Sequence, residues 1–128
     1  MSICSSIGSK GDCLNLVIRQ GSTFGPFTMT LTNPDESPMD LTGTSFDAHI
    51  RKYVNADVAV DIDVQITDAV NGVIQFTIDS ATTAALTCGN KETDLSSIYQ
   101  WDMEMTDTLG RIIPIVYGQV SVFREITR

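Results

Sequence analysis

The chain is short of most things that side-chain chemistry needs. It holds one histidine, one tryptophan and three cysteines, and its eight Lys and Arg are outnumbered by sixteen Asp and Glu. With a single histidine, His49, a nucleophile–base pair has one place to be, and no Gly-x-Ser-x-Gly elbow accompanies it. His49 therefore reads as an exposed, non-catalytic side chain. Cys4, Cys13 and Cys88 form an odd set without C-x-x-C spacing, too few and too far apart for a disulfide framework or a zinc site. They read as reduced thiols, with one pair meeting in space left open. Gly21-Ser-Thr-Phe-Gly25 lacks the lysine and the strand–helix context of a phosphate loop.

A formal net charge of −8 excludes the commonest route to nucleic acid, which is clustered Lys and Arg releasing counterions from a phosphate backbone. The eight cations are scattered from Lys10 to Arg128. The acidic excess instead favours solubility. Apolar runs such as Ile112–Tyr117 fall far short of the roughly 20 residues that cross a bilayer. The N-terminus has neither a basic start nor a continuous apolar stretch, so no secretory signal is expected and synthesis in the cytosol is.

What the chain does have is alternation. At 128 residues it is sized for one domain burying roughly two thirds of its unfolded surface. Residues 1–12, rich in Ser and Gly, read as an N-terminal arm that orders against a neighbour, and residues 13–128 as a single domain. Leu14–Gln20 opens it, with Leu14, Leu16 and Ile18 inward; Gly21, Gly25 and Pro26 end that run. Phe27–Thr32 follows, then the turn-rich Asn33-Pro-Asp-Glu-Ser-Pro38. Ser45–Lys52 alternates cleanly, and Tyr53–Asp57 is a loop. Val58–Thr67 reads as a strand region with Val60, Ile62, Val64 and Ile66 inward.

Asn71-Gly72 signals a hairpin into the strand of Ile74, Phe76 and Ile78. Asp79-Ser80 caps a short helix over Thr82–Leu86 that ends at Gly89, and residues 90–97 are loop. Ile98–Thr106, Arg111–Tyr117 and Gln119–Ile126 close the chain, with Gly118 as a bulge or kink. Pro114 places its segment at an edge or a bulge. The pattern predicts an all-β fold, an immunoglobulin-like β-sandwich of about 7–9 antiparallel strands with one short helix. The chain stops where its last strand stops, as expected of a small self-contained module.

No constellation of side chains carries an enzyme signature, and no catalytic, cofactor-binding or metal residue is assigned. Asp57, Asp61 and Asp63, and likewise Asp102, Glu104 and Asp107, sit mostly at alternate positions, which spreads carboxylates along a solvated face roughly 6–7 Å apart. The pairs they form are no better evidence for glycoside hydrolysis. Tyr99 and Trp101 share a phase with Met103 and Met105, so they read as a core seam rather than a sugar-stacking platform.

A succession of short motifs carries more: Gly21-Ser-Thr-Phe, Met39-Asp-Leu-Thr-Gly43, Phe46-Asp-Ala-His-Ile-Arg51, Asn71-Gly-Val-Ile-Gln-Phe-Thr-Ile78 and Ser80-Ala-Thr-Thr-Ala-Ala-Leu86. Tyr99-Gln-Trp-Asp-Met-Glu-Met, Asp107-Thr-Leu-Gly110, Gly118-Gln-Val-Ser-Val122 and Ile126-Thr-Arg128 complete it. In order and spacing the set resembles small bacteriophage virion proteins, tail- or baseplate-associated β-sandwich modules similar to the N-terminal domain of upper baseplate proteins. The resemblance covers most of residues 20–128 and brings no catalytic residue with it. It implies a virion structural protein, made in the host cytoplasm, that joins tail, baseplate or fibre components as a fibre adaptor does. It would act in several copies by protein–protein contact, without cofactor, nucleic acid or membrane. A capsid decoration protein and a host-surface carbohydrate-binding sandwich are the alternatives.

Overall fold

In the computed structural model, residues 12–53, 55–88 and 95–125 are described. Two-residue alternation builds nine strands. They are β1 (Asp12–Cys13), β2 (Leu16–Arg19), β3 (Phe24–Thr30), β4 (Ser45–Arg51), β5 (Val58–Ile62), β6 (Val64–Asp68), β7 (Val73–Ile78), β8 (Ser96–Thr106) and β9 (Ile112–Phe123), with helix α1 (Ser80–Ala84) between β7 and β8. One sheet runs β9-β8-β4-β5 with β1 and β2 beside β9; the other runs β3-β7-β6. The two-sheet division is that of an all-β sandwich. The inward residues of both sheets form one core, and Phe76 of β7 meets Trp101 of β8 across it with ring centroids 5.9 Å apart. The predicted seam is buried: Tyr99, Trp101, Met103 and Met105 are all inside.

Every pairing is antiparallel except those of β1 and β2, which run parallel to β9. The expected strand over Leu14–Gln20 is thus broken at Leu14-Asn15. Gly118 explains the break. It shares the inward phase of Val116 and Val120, and a Cβ there would collide with the Leu14 carbonyl, its carbon 2.7 Å away. The backbone of the first strand therefore presses into the space that a side chain would fill. Three bonds hold it: Leu14 N–H to Tyr117 O (2.8 Å), Trp101 Nε1–H to Leu14 O (2.8 Å) and Gln119 N–H to Asn15 Oδ1 (3.0 Å). Arg111–Tyr117 and Gln119–Ile126 are accordingly one strand through Gly118. The register shift in β9 lies instead opposite Met103 and Glu104, at the Pro114–Val116 stretch, as the missing proline N–H requires.

Other boundaries moved for related reasons. Gly25 and Pro26 do not end a strand; they form an irregularity inside β3, where the register slips between Phe24 and Phe27. Val58–Thr67 is two strands, because the chain crosses from one sheet to the other at Asp63. Its alternation continues through the crossing, yet Ile66 on edge strand β6 is exposed rather than buried. The β6–β7 turn needs a positive φ only at Gly72 (72°), with Asn71 bonded through its side chain to Asp68. Asp79 caps α1 by accepting from Thr82 N–H at 2.8 Å, so the helix starts two residues before Thr82. Gly89, and most of the expected 90–97 loop, lie outside the described residues; β8 already begins at Ser96. The arm expected over residues 1–12 lies outside them as far as residue 11, and Asp12 belongs to β1.

Candidate interaction surface

The outer face of the six-stranded sheet gathers the chemistry that the chain has. Cross-strand register fixes its rows. Asp61, His49, Asp102, Tyr117 and Cys13 are consecutive partners across β5, β4, β8, β9 and β1. Beside them, Arg51, Gln100 and Gln119 form a second row. Where the rows adjoin, His49, Arg51, Gln100, Asp102 and Tyr117 line an open groove of about 260 Å³ whose floor is the backbone at Trp101 and Gly118. His49 is half-buried, with Nε2 3.5 Å from Asp61 Oδ1. Arg51 is committed to its own loop, Nη1 donating to Ala56 O at 2.7 Å.

Towards one end the same face turns apolar. Val17 and Ile98 are both register partners of Ser121, one on either side of it, and Phe123 lies two residues farther along β9. Val17 is 63% exposed, Ile98 45% and Phe123 41%. Their outward phase was legible from the buried residues that alternate with them. Such side chains on a solvated sheet face are an interaction feature rather than a core feature.

Among the described residues, no group of three His, Cys, Asp or Glu converges on a point where a metal ion would fit. Asp107 belongs to the β8–β9 turn, where Oδ1 accepts from the backbone of Leu109 and Arg111 at 2.9 Å and Oδ2 from Arg111 Nε at 2.7 Å. Those bonds, the Arg111 backbone first, hold its carboxyl below the usual aspartate range. Tyr53 stands apart in its loop, 63% exposed.

One reading of the cysteines is corrected. Cys13 is disulfide-bonded, whereas the composition suggested reduced thiols throughout; contact in space, which spacing alone does not reveal, decides it. Cys88 is the buried free thiol that was expected. Burial pushes its pKa up, against the opposing pull of Arg124 and Lys52. Its Sγ–H points to Val122 O at 3.3 Å.

Compared with known proteins, the chain matches no family model and no curated protein. No helix among the described residues is long and apolar enough to cross a membrane.

Proposed function

We propose that this protein is a structural component of a bacteriophage virion, a tail, baseplate or fibre-adaptor module that works by protein–protein assembly in several copies. The observation that carries the proposal is the exposed apolar set Val17, Ile98 and Phe123 on the outer face of the six-stranded sheet. A rigid sheet presenting apolar side chains beside a polar row has the make-up of a docking surface, with an apolar centre and a hydrogen-bonding rim. The motif succession from Gly21 to Arg128 supplies the virion context.

The test is to label the protein in purified virions and to read its position by electron microscopy. Label at the tail end is expected, and label over the head lattice would make it a decoration protein instead. Phe123→Glu should leave the isolated domain folded and strip it from the particle; full incorporation of that variant would remove this face from the interface.

The groove at His49, Arg51, Gln100, Asp102 and Tyr117 favours a second reading, binding of host-surface carbohydrate. A half-buried tyrosine side chain among amide, carboxylate and guanidinium groups suits a sugar. Glycan-array binding that Tyr117→Ala abolishes would establish it, and a blank array would dismiss it.

A further inference from the structure

Charge is spread unevenly along the strand direction. Four of the five Lys and Arg among the described residues gather where β8 begins and β9 ends. Arg19 and Ser96 are the register partners of Phe123, one on either side, and Arg124 follows Phe123. Arg51 is the last residue of β4, and Lys52 comes next, its Nζ 4.5 Å from the centre of the Tyr99 ring. Arg19 and Lys52 are exposed, as are Leu95 and Phe123 beside them. Asp57, Asp79 and Glu125 are the carboxylates of this end.

The opposite end reverses the balance, with Arg111 its one cation among the described residues. Arg111 is already paired with Asp107 in the β8–β9 turn, at 2.7 Å. Asp35, Glu36 and Asp40 lie in the chain after β3, and Asp68 ends β6. Leu41 N–H donates to Ala69 O at 2.8 Å, and Thr108 Cγ2 occupies the space beside Gly43, so these segments meet at one end. Asp47 and Glu104 are register partners on the outer face there, both exposed, and the next strand offers Pro114. Like charges directly opposite each other repel across a sheet, and a cation from outside would relieve them. Leu109 and Ile112 are exposed at the same end.

We propose that copies of this chain stack head to tail, the acidic end at the β8–β9 turn of one copy seated on the cationic end at Ser96 of the next. The inference rests on the assembly reading and names a second copy as the partner. Arg19 and Lys52 face the Asp47–Glu104 pair of the neighbour, and its Leu109 and Ile112 cover Phe123 and Leu95. Pairing of like ends would set carboxylates against carboxylates, which opposes a two-fold dimer. Two different surfaces meet, so repetition gives a ring if the rotation closes and a filament if it does not.

Salt should act in two directions. Each copy carries a net charge of −8, so whole molecules repel. At about 0.1 M salt, charges more than about 10 Å apart are largely screened, which removes most of that repulsion and spares the contact pairs. At about 1 M the screening length is about 3 Å, and the contact pairs weaken as well. Self-association should therefore be tightest near about 0.1 M and weaker at both about 0.01 M and about 1 M.

Sedimentation velocity of the full chain over a concentration series reads the assembly. The parent should grow past the dimer as concentration rises. Arg19→Glu with Lys52→Glu, and separately Asp47→Lys with Glu104→Lys, should each lose roughly tenfold or more in association constant. The second double variant keeps a like-charged cross-strand pair, so the sheet meets the same repulsion as before. Mixed one to one, the two variants bring together one unaltered acidic end and one unaltered cationic end, and association should return. A parent that is monomeric at every salt concentration overturns the stacking. So does a parent that stops at the dimer, association that keeps tightening up to about 1 M salt, or a mixture as monomeric as either variant alone. A monomer that still enters virions would leave the virion reading standing and make another virion protein the partner of these ends.

Discussion

Replacing Gly118 with alanine tests the fold at its least forgiving point. The added methyl would meet the Leu14 carbonyl group, with the carbon at 2.7 Å, and Asn15 Oδ1 at 3.0 Å. Two of those atoms are backbone, so no rotamer change relieves the clash, and the first strand must move off β9. Three hydrogen bonds go with it: Leu14 to Tyr117, Trp101 to Leu14 and Gln119 to Asn15. At about 1 kcal/mol each, they set the expected loss at roughly 3 kcal/mol, the upper end of ordinary overpacking. For a domain of this size that lowers Tm by about 10 °C. Urea unfolding monitored by far-ultraviolet circular dichroism measures it, a signal that every variant of the cycle retains. Trp101→Phe supplies the second half of the test, since it removes the donor to Leu14 O in the native strand arrangement. In the Gly118→Ala background that carbonyl is already displaced, so the tryptophan change should cost less there by about 1 kcal/mol. A Gly118→Ala protein within about 0.5 kcal/mol of the parent, or strictly additive losses, would refute the close-approach argument.

Phe76→Ala removes a ring that is 1% exposed and packs against Phe24, Phe27 and Trp101. It should cost about 3–5 kcal/mol in chemical denaturation, and a smaller loss would mean that the core collapses around the gap. Asp35, Asp40, Asp79 and Asp107 are all held below the ordinary aspartate value by turn and cap hydrogen bonds. A depressed folded-state pKa gives stability that is present above about pH 4 and lost as pH falls through the folded value. Tm should therefore drop in acid, and Asp107→Asn should flatten that drop; an unchanged acid limb would show that the turn contributes nothing. Cys88, buried and with a raised pKa, should resist a thiol reagent at pH 8 in the native protein and react once unfolded, whereas immediate labelling would place it at the surface.

Period-2 alternation made the fold class readable because burial on one face is a local property of the strand. The phase of Tyr99 to Met105 required no knowledge of which strands lay alongside. The same reasoning assigned Val17 to the outer face, since Leu16 and Ile18 on either side of it point inward. It could not show that Val17 and Ile98 flank Ser121, because that depends on two separate registers, one parallel and one antiparallel. The exposed set at the centre of the proposed interface was thus readable residue by residue, but not as a patch.

Sheet membership fails to show in a local pattern for the same reason. From Val58 to Ile66 the alternation runs without interruption, yet Asp63 is where the chain leaves one sheet for the other. An apolar residue on each side of the crossing satisfies both sheets, so nothing in the pattern marks it. Gly118 was visible as an irregularity, and the obvious reading placed the kink in its own strand. The kink lies in the partner, because a glycine's missing side chain is used by whichever backbone comes closest. Here that is Leu14, a hundred residues away in sequence terms. The glycine marks where two segments touch, and the pairing of β1 and β2 with β9 decides which of them bends.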